Sequence, residues 1–158
     1  MKKFAANYLI NEKGEFLKNG IVVAEDDGTA LQYIDTSDNL IEIAGLRFHN
    51  GILLADSSFL KSYPQITSFE SDSLLSALVL KAVEGLDRFS TQNLIDLGKN
   101  IQEHFPELKI PEIMNGMTEI LLLKAGFVRG NIPGIFLISG VDLPNLQFAA
   151  RTRIKRIL

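Results

Sequence analysis

The chain has 158 residues, of which 46% are hydrophobic and 22% charged, a composition typical of a soluble globular domain. It contains no cysteine, which excludes disulfides and thiolate metal sites, and its net charge of −3 disfavours a nucleic-acid-binding protein. The longest apolar run, residues 74–83, contains Lys81 and is too short to span a bilayer, and no signal-peptide core follows the start of the chain. We therefore expect a cytoplasmic protein.

The first third of the chain predicts closely spaced strands. Extended apolar segments lie at residues 4–10, 20–25, 29–34, 41–48 and 52–54. Asp26-Asp27-Gly28 and Asn50-Gly51 separate several of them and are typical hairpin turns, since glycine adopts positive φ without a Cβ clash. The pattern favours an antiparallel sheet or half of a β-sandwich.

The middle of the chain changes to a helical period. Residues 73–86 are apolar nearly all round, which predicts a buried helix. A second helix is predicted from the possible N-caps Ser90 and Thr91 up to Pro106. Its apolar stripe consists of Leu94, Leu97, Ile101 and Phe105. A third helix is predicted with Pro111 in its first turn and Gly126 after its end.

The last third returns to strands, at residues 134–139 and 151–158. Neither group of strands is large enough to close a core alone, so the strands from both ends of the chain are expected to combine. The predicted fold is α+β: a small composite antiparallel β-sandwich with a cluster of about three helices inserted in it. Residues 1–56 and 130–158 form the β-domain in this prediction, and residues 57–129 form the helical insertion.

Four segments, taken in order, resemble the amidohydrolase superfamily, in particular its chlorohydrolase and cytosine-deaminase-like branch. They are KKFAANYLINEKGEFLKNGIVVAEDDGTALQYID, FHNGILLAD, LGKNIQEHFPELKIPEIMNGMT and RGNIPGIFLISGVDLPNLQFAARTRIKRIL. The resemblance implies a composite β-sandwich whose strands flank a metal-binding barrel. It also implies that residues 57–129 are a remnant of that barrel.

The positions where the family carries its first two metal-binding histidines depart from its pattern. They are occupied here by Lys61 and Tyr63, and the whole chain contains only His49 and His104. A protonated lysine has no lone pair for a metal, and a phenol replaces imidazole poorly. The segment is also too short for the barrel strands that supply the other ligands. We therefore expect no metal, no cofactor and no catalytic residue.

The leading functional hypothesis is accordingly a non-catalytic remnant of a metal-dependent amidohydrolase. One alternative is a binding or regulatory subunit that partners an intact hydrolase. Another is a hydrolase acting on non-peptide C–N bonds. The lost barrel would leave apolar helix surface along residues 74–86 or 121–123, from which we predict a homodimer that buries helical surface.

The remaining polar clusters have structural interpretations. His49 precedes Asn50-Gly51 and is expected to be a surface or capping histidine, and His104 is expected to lie at a helix C-terminus, where its charge suits the helix dipole. The acids at residues 25–27 are interpreted as solvated turn carboxylates, because the spacing of calcium loops is absent. Ser57 and Ser58 lack the context of a nucleophile elbow.

The C-terminal segment is basic, with Arg151, Arg153, Lys155 and Arg156. These side chains could contact a phosphate. The favoured interpretation is that they protect an edge strand against unwanted pairing.

Overall fold

The computed structural model describes residues 1–11, 13–55, 77, 81, 91–123 and 134–158. These residues form a mixed α+β fold, as the sequence predicts, and their strands belong to one seven-stranded sheet. The strands are β1 (Lys2–Ile10), β2 (Phe16–Lys18), β3 (Ile21–Ala24), β4 (Ala30–Ile34), β5 (Leu46–Ala55), β6 (Ile135–Ser139) and β7 (Arg153–Arg156), and the helices are α1 (Thr91–His104) and α2 (Ile110–Leu123).

Strands from both ends of the chain complete the sheet. Its order is β4-β3-β1-β5-β6-β7, with β2 also paired to β1. The join lies between β5 and β6, which pair antiparallel from Ile52 opposite Ile138 to Ala55 opposite Ile135. β1 and β5 run parallel, which differs from the antiparallel arrangement expected. Parallel strands must be joined by a crossover connection. Here β4 runs in the same direction as β1, and residues 35–45 cross over from β4 to β5.

β5 is one long strand where the sequence predicted two strands and a turn. The predicted turn at Asn50-Gly51 is wrong, and the predicted strand at residues 41–48 begins only at Leu46. Gly51 has φ +142°, and its N–H donates to Asn7 Oδ1 at 2.8 Å. The pairing with β1 shifts register here, from Ala6 opposite His49 to Tyr8 opposite Ile52. The glycine therefore makes a bulge inside the strand and does not reverse the chain.

The sheet curls, so that the β3–β4 turn touches the start of β6 and the end of β7. A Cβ on Gly28, in the β3–β4 turn, would lie 2.8 Å from Cα of Gly134, just before β6. Arg156 at the end of β7 also donates to the carbonyl of Asp27 at 3.4 Å. The curled strands hold an apolar cluster on one face of the sheet, which we call the inner cluster; it comprises Phe4, Ala6, Leu9, Val22, Ala24, Leu53, Ala55, Ile135 and Leu137.

The two described helices pack on the opposite face. Leu94, Leu97 and Ile101 of the predicted stripe are buried, as are Ile113 and Met117 of α2. With Ile52, Leu54 and Ile138 of the sheet they form the outer cluster. α1 ends two residues before Pro106, as predicted. Among the described residues, no helix is long and apolar enough to cross a membrane.

Several sequence predictions lie outside the described residues. They include Ser57, Ser58, Lys61, Tyr63, the proposed end of the third helix at Gly126, and the helix at residues 73–86 apart from Ala77 and Lys81, which are helical. The division into a β-domain and a helical insertion stays a prediction. The described strands lie within residues 2–55 and 135–156, and α1 and α2 lie within residues 91–123.

Candidate binding groove

An open groove of about 670 Å3 lies between the crossover and the sheet face that also carries the helices. Ala5 and Ile21, which are directly paired on β1 and β3, form a buried floor. The remaining lining residues come from the crossover, from the first half of β5 and from the β2–β3 connection; they are Asn19, Leu40, Ile41, Glu42, Ile43, Ala44, Leu46 and Phe48. The volume is in the range of small-molecule and peptide pockets.

The groove is apolar and open to solvent. Leu40 is 76% exposed, Ile41 44% and Phe48 49%. Isolated exposed apolar side chains are common on proteins, but a contiguous set around a concavity marks an interaction site. Glu42 is the charged residue in the lining, so the groove disfavours an acidic occupant.

Polar contacts fix the crossover that forms the wall. Asn19 has φ +52°, and its amide donates to the carbonyl and the carboxylate of Asp38 at 3.0 and 3.1 Å. Lys18 bonds the same carboxylate at 2.8 Å, which raises the pKa of Lys18. Thr36 Oγ1 donates to the carbonyl of Asn19, and Lys3 Nζ reaches the carbonyl of Ala44 at 3.4 Å. The wall is thus attached to the sheet on both sides of the groove.

His49 lies on the opposite face of the sheet from the groove. Its ring is 5.9 Å from that of Phe4, in the inner cluster, and its Nε2 is buried without a hydrogen-bond partner. Burial lowers the pKa of His49, and the positive charges of Lys155 and Arg47 lower it further. The capping interpretation of His49 is therefore wrong, because the strand continues past Asn50. The residue is half-buried, with its ring on the face of the inner cluster.

His104 lies where the sequence predicts, exposed at the last residue of α1, with Nδ1 2.9 Å from the carbonyl oxygen of Asn100. α1 packs in the outer cluster, whereas His49 contacts the inner cluster. The two histidines of the chain are thus on opposite sides of the sheet. Within the described ranges, no group of three or more histidine, aspartate or glutamate side chains is arranged to hold a metal.

The acidic turn is solvated, as predicted. Glu25 N donates to the carbonyl of Thr29 at 2.9 Å, and Asp27 Oδ1 accepts the N–H of Thr29 at 2.8 Å. This hydrogen bond lowers the pKa of Asp27. Asp26 forms an exposed ion pair with Lys2 at 3.5 Å. These carboxylates stabilise the turn, and they are not among any group of described side chains arranged to hold a metal ion.

The basic C-terminal residues lie where the edge-strand interpretation requires. Arg153, Lys155 and Arg156 belong to β7, the last strand in the order of the described sheet. The guanidinium of Arg153 donates to the carbonyls of Ala150 and Thr152, and that of Arg156 to the carbonyl of Leu158. Lysine and arginine on an edge strand disfavour pairing with another sheet.

No protein-family model matches this chain, and neither a curated protein nor a solved structure matches it. The groove was not predicted from the sequence. Its signal is the apolar content of residues 40–48, where an extended strand was predicted at residues 41–48. Asp38 and Asn39 just before Leu40 are typical of a loop, so the apolar pair Leu40-Ile41 after them was the residue pattern that could have indicated an exposed site.

Proposed function

We propose that this protein is a non-catalytic remnant of a metal-dependent amidohydrolase and that it now acts by binding. The observation that carries the proposal is the separation of its two histidines by a sheet that joins both ends of the chain. A site of the kind the resemblance implies needs several imidazoles on one side of a barrel. Two imidazoles on opposite sides of a sheet cannot both bind one ion.

The composite sheet supports descent from this family. Its N-terminal strands pair with its C-terminal strands, with the helices between them in sequence. This is the chain order that the resemblance implies for a β-domain around a barrel. Fold alone carries no activity, so the proposal for function depends on the donor residues and on the groove.

Metal analysis tests the loss of catalysis. The protein is expressed with added Zn, Fe and Mn and dialysed, and its metal content is measured by inductively coupled plasma mass spectrometry. We expect far less than one ion per chain. The matched control is the double variant His49→Ala, His104→Ala, which should give the same result. A full equivalent of metal in the wild type that the control lacks would overturn the proposal.

A second candidate is a binding or regulatory subunit of an intact hydrolase, and the open apolar groove favours it. Affinity purification from the native cell followed by mass spectrometry is the test. Recovery of an amidohydrolase in fixed proportion supports this candidate, and its absence argues against it.

Residual hydrolysis of C–N bonds is checked on amide, amidine and nucleobase substrates with added divalent metal, where we expect no turnover.

The homodimer through helical surface is also a proposal. The large apolar side chains described on α1 and α2, such as Leu94, Ile101 and Ile113, are buried against the sheet. The surface proposed for the dimer lies at residues 74–86 or 121–123; of these side chains only those of Ala77 and Lys81 are described, and both are exposed. Light scattering at micromolar concentration decides: a dimer supports the proposal, and a monomer contradicts it.

A further inference from the structure

The first half of β5 has an open edge beside the groove. Residues 46–49 pair with β1, but β6 pairs only with residues 52–55. The chain turns away after β6, at Gly140 with φ +73°, and Val141 packs into the outer cluster. In the described part of the chain, no strand covers residues 46–50 on that side. Leu46 N donates to the carbonyl of Ile43 at 3.0 Å, so the groups that another strand could pair with are the outward-facing ones of residues 47–50.

The two faces of this edge differ in chemistry. Leu46 and Phe48 line the groove, because their partners Lys3 and Ala5 on β1 lie on the groove face. Arg47 and His49 alternate with them and lie on the face of their partners Phe4 and Ala6. Lys155 is on the same side, close enough to His49 to act on its charge. The edge is therefore apolar on one face and basic on the other.

We infer that the edge of β5 at residues 46–50 accepts an extended segment of a partner protein as an added strand. The segment alternates apolar and acidic residues: the apolar side chains pack against Phe48 at the rim of the groove, and the acidic ones meet Arg47 and Lys155. Backbone hydrogen bonds supply affinity in such strand addition, and the alternate side chains supply specificity. This inference rests on the proposed binding role and names the class of partner.

Charge decides between a partner and a second copy of the chain. An antiparallel pair of two β5 edges centred on Phe48 would put Arg47 of each copy opposite His49 of the other, whose pKa is lowered, so Arg47 would face no carboxylate. Lys155 would likewise gain no acidic partner, whereas an acidic segment offers opposite charges to both cations. Glu42 in the groove disfavours acidic residues on the apolar face of the occupant, so the acids must alternate with the apolar side chains.

The probe is a fluorescein-labelled synthetic peptide of alternating valine and glutamate, titrated into the full chain and followed by fluorescence anisotropy. We expect binding, and slower hydrogen exchange of the amides of residues 46–50 in the complex. A peptide with lysine in place of glutamate should bind at least roughly tenfold more weakly because it meets Arg47 and Lys155. A peptide of the same composition with all valines first should also lose affinity.

Matched variants locate the site. Phe48→Ser should weaken binding roughly tenfold or more, because the apolar contact with the half-exposed ring is lost. Leu31→Ser is its control, since Leu31 is 48% exposed on β4 at the other end of the sheet and should leave affinity unchanged. Arg47→Glu should reverse the preference between the acidic and the basic peptide. Arg151→Glu, an exposed cation outside β7, should leave that preference as it is.

Three results would overturn the inference: no binding of the acidic peptide, equal binding of both peptides, or binding that Phe48→Ser does not weaken. A dimer that Phe48→Ser dissociates would identify a second copy as the occupant instead. Binding without protection of residues 46–50 would indicate a groove ligand and no added strand. A negative peptide result leaves the loss of catalysis standing, since metal analysis tests that separately.

Discussion

The backbone at Gly51 lies so close to β6 that no side chain fits there. A Cβ would overlap the carbonyl oxygen of Ile138, and φ is +142°, where other residues are strained. Two independent causes therefore require glycine at this bulge.

Gly51→Ala should lower the free energy of unfolding by at least about 3 kcal/mol, from backbone strain and displacement of β6. Gly45→Ala is the control: its φ is +77°, but a Cβ there meets nothing within 4 Å. It should cost only about 1–2 kcal/mol. Urea unfolding of both variants measures the difference, and equal costs would mean that contact with Ile138 is unimportant.

His49 places a titratable group beside Phe4 and near Arg47 and Lys155. Burial and these charges lower the pKa of His49, so the unfolded chain binds a proton at a higher pH than the folded one. Protonation of His49 therefore does not reduce the free energy of unfolding above the unfolded pKa of about 6.5. Below that pH the unfolded chain takes up the proton first, and the free energy of unfolding falls until the lower folded pKa is reached.

The wild type should be less stable at about pH 5.5 than at about pH 7.5, and His49→Phe should reduce that difference. The variant should also be about 1 kcal/mol more stable at the higher pH, because it removes a buried nitrogen without a partner. Chemical unfolding at both pH values measures this. His104→Phe, at an exposed helix end, is the control, and an unchanged pH difference in His49→Phe would contradict the assignment.

At the scale of elements, α1 is attached to the segment before β7 through the backbone of Phe148. Gln102 Nε2 donates to the carbonyl of Phe148, and Phe148 N donates to Gln102 Oε1, both at 2.7 Å. A Cβ on Gly98 would lie 2.7 Å from the Phe148 ring, so the helix presents glycine where the ring lies. The two contacts fix α1 over the sheet.

Gln102→Ala should destabilise the protein by about 2 kcal/mol, since two hydrogen bonds are lost and the Phe148 backbone is left unpaired. Gln92→Ala on the same helix removes only an exposed bond to Asp96 and should cost less than about 0.5 kcal/mol. Thermal unfolding of the two variants is the comparison. Similar losses would show that the contact with Phe148 contributes little.

At the scale of the whole molecule, β1 and β5 contribute to both apolar clusters. Leu9 and Leu53 belong to the inner cluster, whereas Ile10, Ile52 and Leu54 belong to the outer one. Neither cluster can lose its packing while these two strands keep theirs, so the described part should unfold as one unit.

Hydrogen exchange in increasing urea tests this unity. Peptides from β3, beside the inner cluster, and from α1, beside the outer one, should lose protection at the same midpoint. The control region is the exposed turn at residues 25–28, which should exchange early. Two separated midpoints for β3 and α1 would contradict a single cooperative unit.

Local patterns in the sequence were sufficient for the class of the fold and for most described elements. The stripe at Leu94, Leu97 and Ile101 predicts α1, and the turn at residues 26–28 predicts the β3–β4 hairpin, because helix period and turn chemistry act over a few residues. The exposed position of His104 and the edge position of the basic strand followed from the same local physics.

The tertiary structure alone decided the features that depend on distant residues. Gly51 bends a strand and makes no turn, because Asn7 and Ile138 surround it. Phe48 lines an open groove because a crossover runs over β3 and β1, and His49 turns inward because its strand pairs with β1. Burial, register and parallel pairing arise from contacts between segments far apart in the chain, and no local pattern of residues encodes them.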